Sequence, residues 1–103
     1  MWVRPFREPG KLSPPEAQSL SSSCVHLAPG ERVGEHRTEG KEELLFVLDG
    51  EATILVGGSA TNVPAGTVAY VPPNTRHDVV NGGLSSLRYV YVTGRVHASS
   101  GAA

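Results

Sequence analysis

Residues 30–50 read GERVGEHRTEGKEELLFVLDG. The second half of this stretch decides the fold. Side chains alternate across a strand, so Glu43, Leu45 and Val47 share one face while Leu44, Phe46 and Leu48 share the other. Both faces are apolar from residue 44 to residue 48. One face then lines an interior, and the other meets a second sheet, an N-terminal arm or another subunit. In a chain this short, that pattern predicts a homodimer. Asp49-Gly50 is a turn signal, and EATILVGG (51–58) follows at once, which predicts a hairpin.

Working outward, similar runs recur at short intervals. SCVHLA (23–28) ends at Pro29-Gly30, and RVGEHRT (32–38) comes next. Beyond the expected hairpin lie SATNVP (59–64), TVAYVPP (67–73), RHDVVN (76–81) and SSLRYVYVTG (85–94). The chain has 12 Gly and 8 Pro in 103 residues and no long helical pattern. Short strands broken by turns predict an all-β sandwich or barrel.

Residues 1–22 carry Pro5, Pro9, Pro14 and Pro15, and proline cannot donate to a central ladder. This segment is expected to be an N-terminal arm, with a short edge strand at residues 2–4 and a helical turn at 14–19. Trp2 predicts that the arm packs on something. The barrel is expected over 23–94 and a fraying tail over 95–103.

Nine Lys and Arg against ten Asp and Glu give a formal net charge of −1. No basic run stands out, so no nucleic-acid partner is expected. No stretch approaches the roughly 18 apolar residues of a membrane span. The N-terminus lacks the apolar centre of a secretory signal, which predicts a cytoplasmic protein. Cys24 is the sole cysteine, so no intrachain disulfide can form, and it reads as a small buried residue.

Several polar side chains do not suit a plain core. His36 and Thr38 share one face of their run, and His77, Val79 and Asn81 share a face of another. His36, Glu43 and His77 offer nitrogen and oxygen donors for a divalent ion. Two imidazoles and one carboxylate with open positions is the facial arrangement of non-haem iron, and it is close to catalytic zinc sites. A lone histidine is more often a hydrogen-bonded or surface residue, and Glu42-Glu43 also fits a solvated turn. On spacing alone both readings stand.

The pattern as a whole resembles a known family. From Gly30, five residues lead to His36. Thr38 follows after Arg37, four residues lead to Glu43, and six more to Gly50. From Gly66, five residues lead to Pro72. Asn74 follows after Pro73, two residues lead to His77, and three more to Asn81. These resemble the two sequence motifs of the cupin superfamily, in order, over about residues 28–92. The resemblance implies a small, jelly-roll-like double-stranded β-helix, often dimeric. It implies that His36, Glu43 and His77 are metal ligands, with Glu43 chosen over Glu42 because only Glu43 leaves six residues before Gly50. Thr38 stands where the family usually has a further histidine, as a pocket residue or a weak fourth position. Asn74 stands where glycine is usual, and asparagine tolerates positive φ.

The resemblance implies a divalent transition metal (Fe, Mn, Ni, Zn or Cu) and a small-molecule ligand inside the barrel. It leaves oxygenase- or isomerase-type chemistry, decarboxylation and simple ligand binding open. With Thr38 in place of an imidazole, the first expectation is a metal held by three donors, with Thr38 hydrogen-bonding a metal-bound water. The alternatives are a metal-free small-ligand pocket and a structural or regulatory domain without catalysis. No separate nucleophile or base stands out. Tyr70, Arg88, Tyr89 and Tyr91 are candidates for the pocket wall, and each also fits an ordinary strand position. His26 is a candidate fourth donor or, more simply, a surface residue.

Overall fold

The computed structural model describes residues 18–96. The expected edge strand at 2–4, most of the expected helical turn at 14–19 and the tail beyond residue 96 lie outside these residues. Eight strands follow one another: β1 (Leu20–Leu27), β2 (His36–Arg37), β3 (Lys41–Asp49), β4 (Glu51–Val56), β5 (Ser59–Pro64), β6 (Val68–Val71), β7 (Arg76–Val80) and β8 (Leu87–Arg95). They form two four-stranded antiparallel sheets, β1-β8-β3-β6 and β2-β7-β4-β5. The fold is all-β, as expected. β1 begins at Leu20, three residues ahead of the expected start of the barrel.

Alternation sets the layers. β3 buries Glu43, Leu45 and Val47 and exposes Glu42, Leu44 and Phe46. Across the ladder, Tyr89 and Leu87 of β8 and Val71 of β6 face the same interior. The second sheet answers with Ala52, Ile54, Val63 and Val79. Leu45, Ala52 and Leu87 are wholly buried.

Two expectations about strands are corrected. Asp49-Gly50 does not close a hairpin, because β3 pairs with β6 and β8 while β4 pairs with β5 and β7. Residue 50 is instead the corner where the chain leaves one sheet for the other. Gly50 has φ +78°, and a Cβ there would overlap the backbone oxygen of Ser86. A turn signal marks reversal of direction, and the sequence alone does not say whether the next strand pairs locally. The tight hairpin is β4–β5, with Val56 opposite Ser59 across Gly57-Gly58.

The run at 32–38 is the second correction. Only His36 and Arg37 pair as a strand, opposite His77 and Arg76. Ahead of them, Arg32 makes a lone bridge to Val80, and Gly34 has φ +107°. Residues 30–33 still hydrogen-bond to Val79 and Asn81 beside β7, and that glycine interrupts the ladder ahead of His36. Asn74 does adopt positive φ, at 56°.

Candidate metal centre

The three expected donors come from three strands. β2 supplies His36, β3 supplies Glu43 from its inward face, and β7 supplies His77. His36 and His77 are direct cross-strand partners, and their ring centroids are 4.3 Å apart. One ligand atom from each of the three residues lies within 4.8 Å of the others. His77 and Glu43 are buried, whereas His36 is exposed at the mouth.

Both imidazoles are oriented by backbone carbonyls. His36 Nδ1 is 2.9 Å from Gly34 O, and His77 Nδ1 is 3.1 Å from Thr75 O. A carbonyl oxygen only accepts, so each Nδ1 carries the proton and donates it. In the neutral ring, each Nε2 is left with its lone pair, the usual preparation of a metal-binding histidine. His77 Nε2 then faces Glu43 Oε1 at 3.3 Å, and by geometry it is a buried atom with no hydrogen-bond partner, so only the charge of Glu43 meets it. A lone pair against a carboxylate in a buried place is unfavourable unless a cation or a proton lies between them.

The proton is the competitor. Contact with the Glu43 carboxylate raises the His77 pKa above its ordinary 6.5, and desolvation opposes the rise. In the metal-free protein, the charged pair therefore contributes its full stability below pH 6.5 and loses it as pH climbs through the higher folded value. A bound metal requires the unprotonated ring, so metal affinity should rise with pH over the same interval. Thermal melts of chelated and metal-loaded protein across that interval will check it: the metal-dependent increment grows as pH rises.

Thr38 lines the cavity and is buried, but its hydroxyl is committed elsewhere. Oγ1 donates to Pro72 O at 2.8 Å and accepts from Thr75 N at 3.2 Å. Thr38 O also accepts from Asn74 N at 2.7 Å. Its single proton goes to Pro72, so the expected hydrogen bond to a metal-bound water would have to be one that this hydroxyl accepts through its second lone pair. Its role is to pin the turn between β6 and β7, from which His77 starts. Replacing Thr38 with the near-isosteric valine should cost about 1–2 kcal/mol, since Thr75 N loses a buried partner. Denaturant melts measure that cost, and metal content should stay unchanged.

A buried carboxylate escaped the sequence reading. Asp78 is 2% exposed and points away from the cavity. It accepts from Arg32 Nε at 2.6 Å and from Gly34 N at 2.9 Å, with a second contact from Arg32 Nη2. Asp78 thus holds Gly34, the residue whose carbonyl orients His36. Its signal was available: aspartate is disfavoured in strands, and this one sits in the middle of RHDVV.

The cavity, about 550 Å³, is lined by two of the donors, His36 and Glu43, with His77 buried behind them. Of the expected wall residues, Tyr89 and Tyr91 line it. Burial first, and then the Glu43 carboxylate, raise the Tyr91 pKa, which keeps the phenol a neutral donor. Tyr70 and Arg88 do not line it: Tyr70 donates to Glu42 at 2.9 Å and Arg88 pairs with Asp49 at 2.8 Å, both outside the barrel. His26 is exposed opposite Arg88 on the same outer face and takes no part in the site. Cys24 is buried and unpaired.

The cupin domain model matches residues 23–93. The chain is a cupin. Among curated proteins, this cupin is 32% identical over 93 residues to an oxalate-binding protein of Thermotoga maritima, covering 81% of this chain and 77% of that protein. Among solved structures, it matches a Cupin 2 conserved barrel domain protein of Salinispora arenicola with a TM-score of 0.76 and 27% identity, over 95% of this chain and 90% of that one. It also matches a predicted oxalate decarboxylase of Thermotoga maritima with a TM-score of 0.66 and 27% identity, over 75% of this chain and 65% of the other.

Proposed function

We propose that this cupin binds one divalent transition metal through His36, Glu43 and His77, and binds a small ligand at the positions the protein leaves open. The observation that carries this reading is the buried His77 Nε2, which has no hydrogen-bond partner and faces the Glu43 carboxylate within reach of His36. Two imidazole nitrogens and a carboxylate oxygen suit Fe, Mn, Ni, Zn or Cu. Carbonyls already fix both rings, so little ordering remains to be done on binding. A metal held there would act as a Lewis acid on a ligand oxygen. The neighbouring Tyr91 phenol is placed to donate to the same ligand, and apolar side chains behind it limit water.

Thermal melts after chelation test the reading. With metal at a hundredfold over Kd, the native state gains about 3 kcal/mol, or roughly 10–20 °C in a domain of this size. The metal-free alternative is a His77–Glu43 salt bridge in a polar pocket, supported by the raised His77 pKa. No shift with any of the five metals would favour that alternative and sink the metal reading.

We also propose that two copies associate through the outer face of the first sheet. Leu44 stands opposite Tyr70 and Phe46 opposite Val68, and all four side chains are exposed together. A contiguous apolar face of this kind marks an association surface. Phe46→Glu should convert the dimer to a monomer in sedimentation while the metal content holds. A wild-type monomer would end this proposal.

A further inference from the structure

Lys41 is a partly buried cation on the cavity wall. It lies two residues before Glu43 on the same inward face of β3, roughly 7 Å along the strand. Its cross-strand partner on β8 is Arg95, so two like charges stand directly opposite each other. Such a pairing is destabilising unless something negative lies near it. Among the described residues, neither side chain makes an ion pair.

The other charges of the lining are matched. Glu39 faces Arg37 at 3.2 Å, and Glu35 faces Arg76 at 3.5 Å. Lys41 and Glu43 remain, and they balance. A divalent ion on Glu43 and the histidines therefore leaves the cavity doubly positive. Arg95 adds further positive potential at its rim. A cavity of one sign with apolar walls concentrates ligands of the opposite sign.

Resting on the metal reading above, we propose that the ligand is a small dicarboxylate, with one carboxylate on the metal and the other on Lys41. Lys41 is the specificity residue of this arrangement. Lys41 lines the cavity two residues along β3 from Glu43, so a ligand bridging its ammonium and a metal on Glu43 would carry negative charge at both ends. Tyr91, a neutral phenol on the same wall, donates to the ligand without adding charge. The oxalate-binding relative is consistent with this class of ligand. Arg95, exposed beside Lys41, draws the dianion in from solvent.

The test is calorimetric titration of manganese-loaded protein with oxalate and with malonate, metal content being measured on each sample before and after. Lys41→Gln should weaken both ligands about tenfold or more, the worth of one charge-assisted hydrogen bond. Lys41→Arg should retain most of the affinity, and Arg95→Gln should lose less than Lys41→Gln. Metal content should be the same in all four proteins. Unchanged dicarboxylate affinity in Lys41→Gln, or no binding by metal-loaded wild type, would overturn the proposal and leave the metal site standing. Failure of the wild type to take up manganese or any other divalent ion would overturn both.

Discussion

His77→Ala should abolish stable metal binding, with affinity falling on the order of a hundredfold or more. Residues that only orient a ligand cost ten- to a hundredfold when lost, so a direct donor should cost no less. His77 is nearly wholly buried, and its Nε2 has no other partner. The increase in melting temperature on adding metal should vanish with it, because a ligand stabilises only the state that binds it. The informative readout is that metal-dependent increment, since removing a buried ring also lowers the stability of the metal-free protein. A variant that keeps the increment would show that the ion sits elsewhere.

Gly50→Ala should destabilise the fold by about 3 kcal/mol or more. Two costs add here: a residue with a Cβ is strained at φ +78°, and the new methyl would overlap Ser86 O. The corner cannot relax freely, because Gly50 O accepts from Ala65 N at 3.1 Å and Val47 O accepts from Gly66 N at 2.8 Å. Denaturant unfolding measures the loss. Gly57→Ala is a useful contrast, since it also has positive φ but nothing lies near its missing Cβ. It should cost less than Gly50→Ala.

Much of this architecture was legible from alternation alone. The inward set of β3, Glu43, Leu45 and Val47, follows from the period of two, as does the exposed set Leu44 and Phe46. Spacing alone left His36, Glu43 and His77 open to a solvated reading; the resemblance to the two cupin motifs is what implied that they meet, and β2, β3 and β7 do bring them together. Pairing was harder to read. Asp49-Gly50 carries the same local chemistry whether it closes a hairpin or turns a corner, and only the long-range partners β6 and β8 decide. The turn-pinning role of Thr38 was also hidden. Parity placed it near the cavity, but its hydroxyl partners, Pro72 and Thr75, lie 34 and 37 residues away. Asp78 was missed because its partner Arg32 is 46 residues distant, although a mid-strand aspartate is itself a warning.

Threonine at residue 38 offers the site no imidazole, and its hydroxyl instead pins the turn between β6 and β7. What remains is a three-donor cluster with one exposed edge at His36. On the proposed reading, that opening is where a ligand would reach a metal, so metal occupancy is the property to measure. Elemental analysis of untagged protein, purified without chelator, measures it directly. The expected result is about one divalent transition metal ion per chain, or its recovery on reconstitution. Less than about a tenth of an equivalent, with none regained from Fe, Mn, Ni, Zn or Cu, would contradict it.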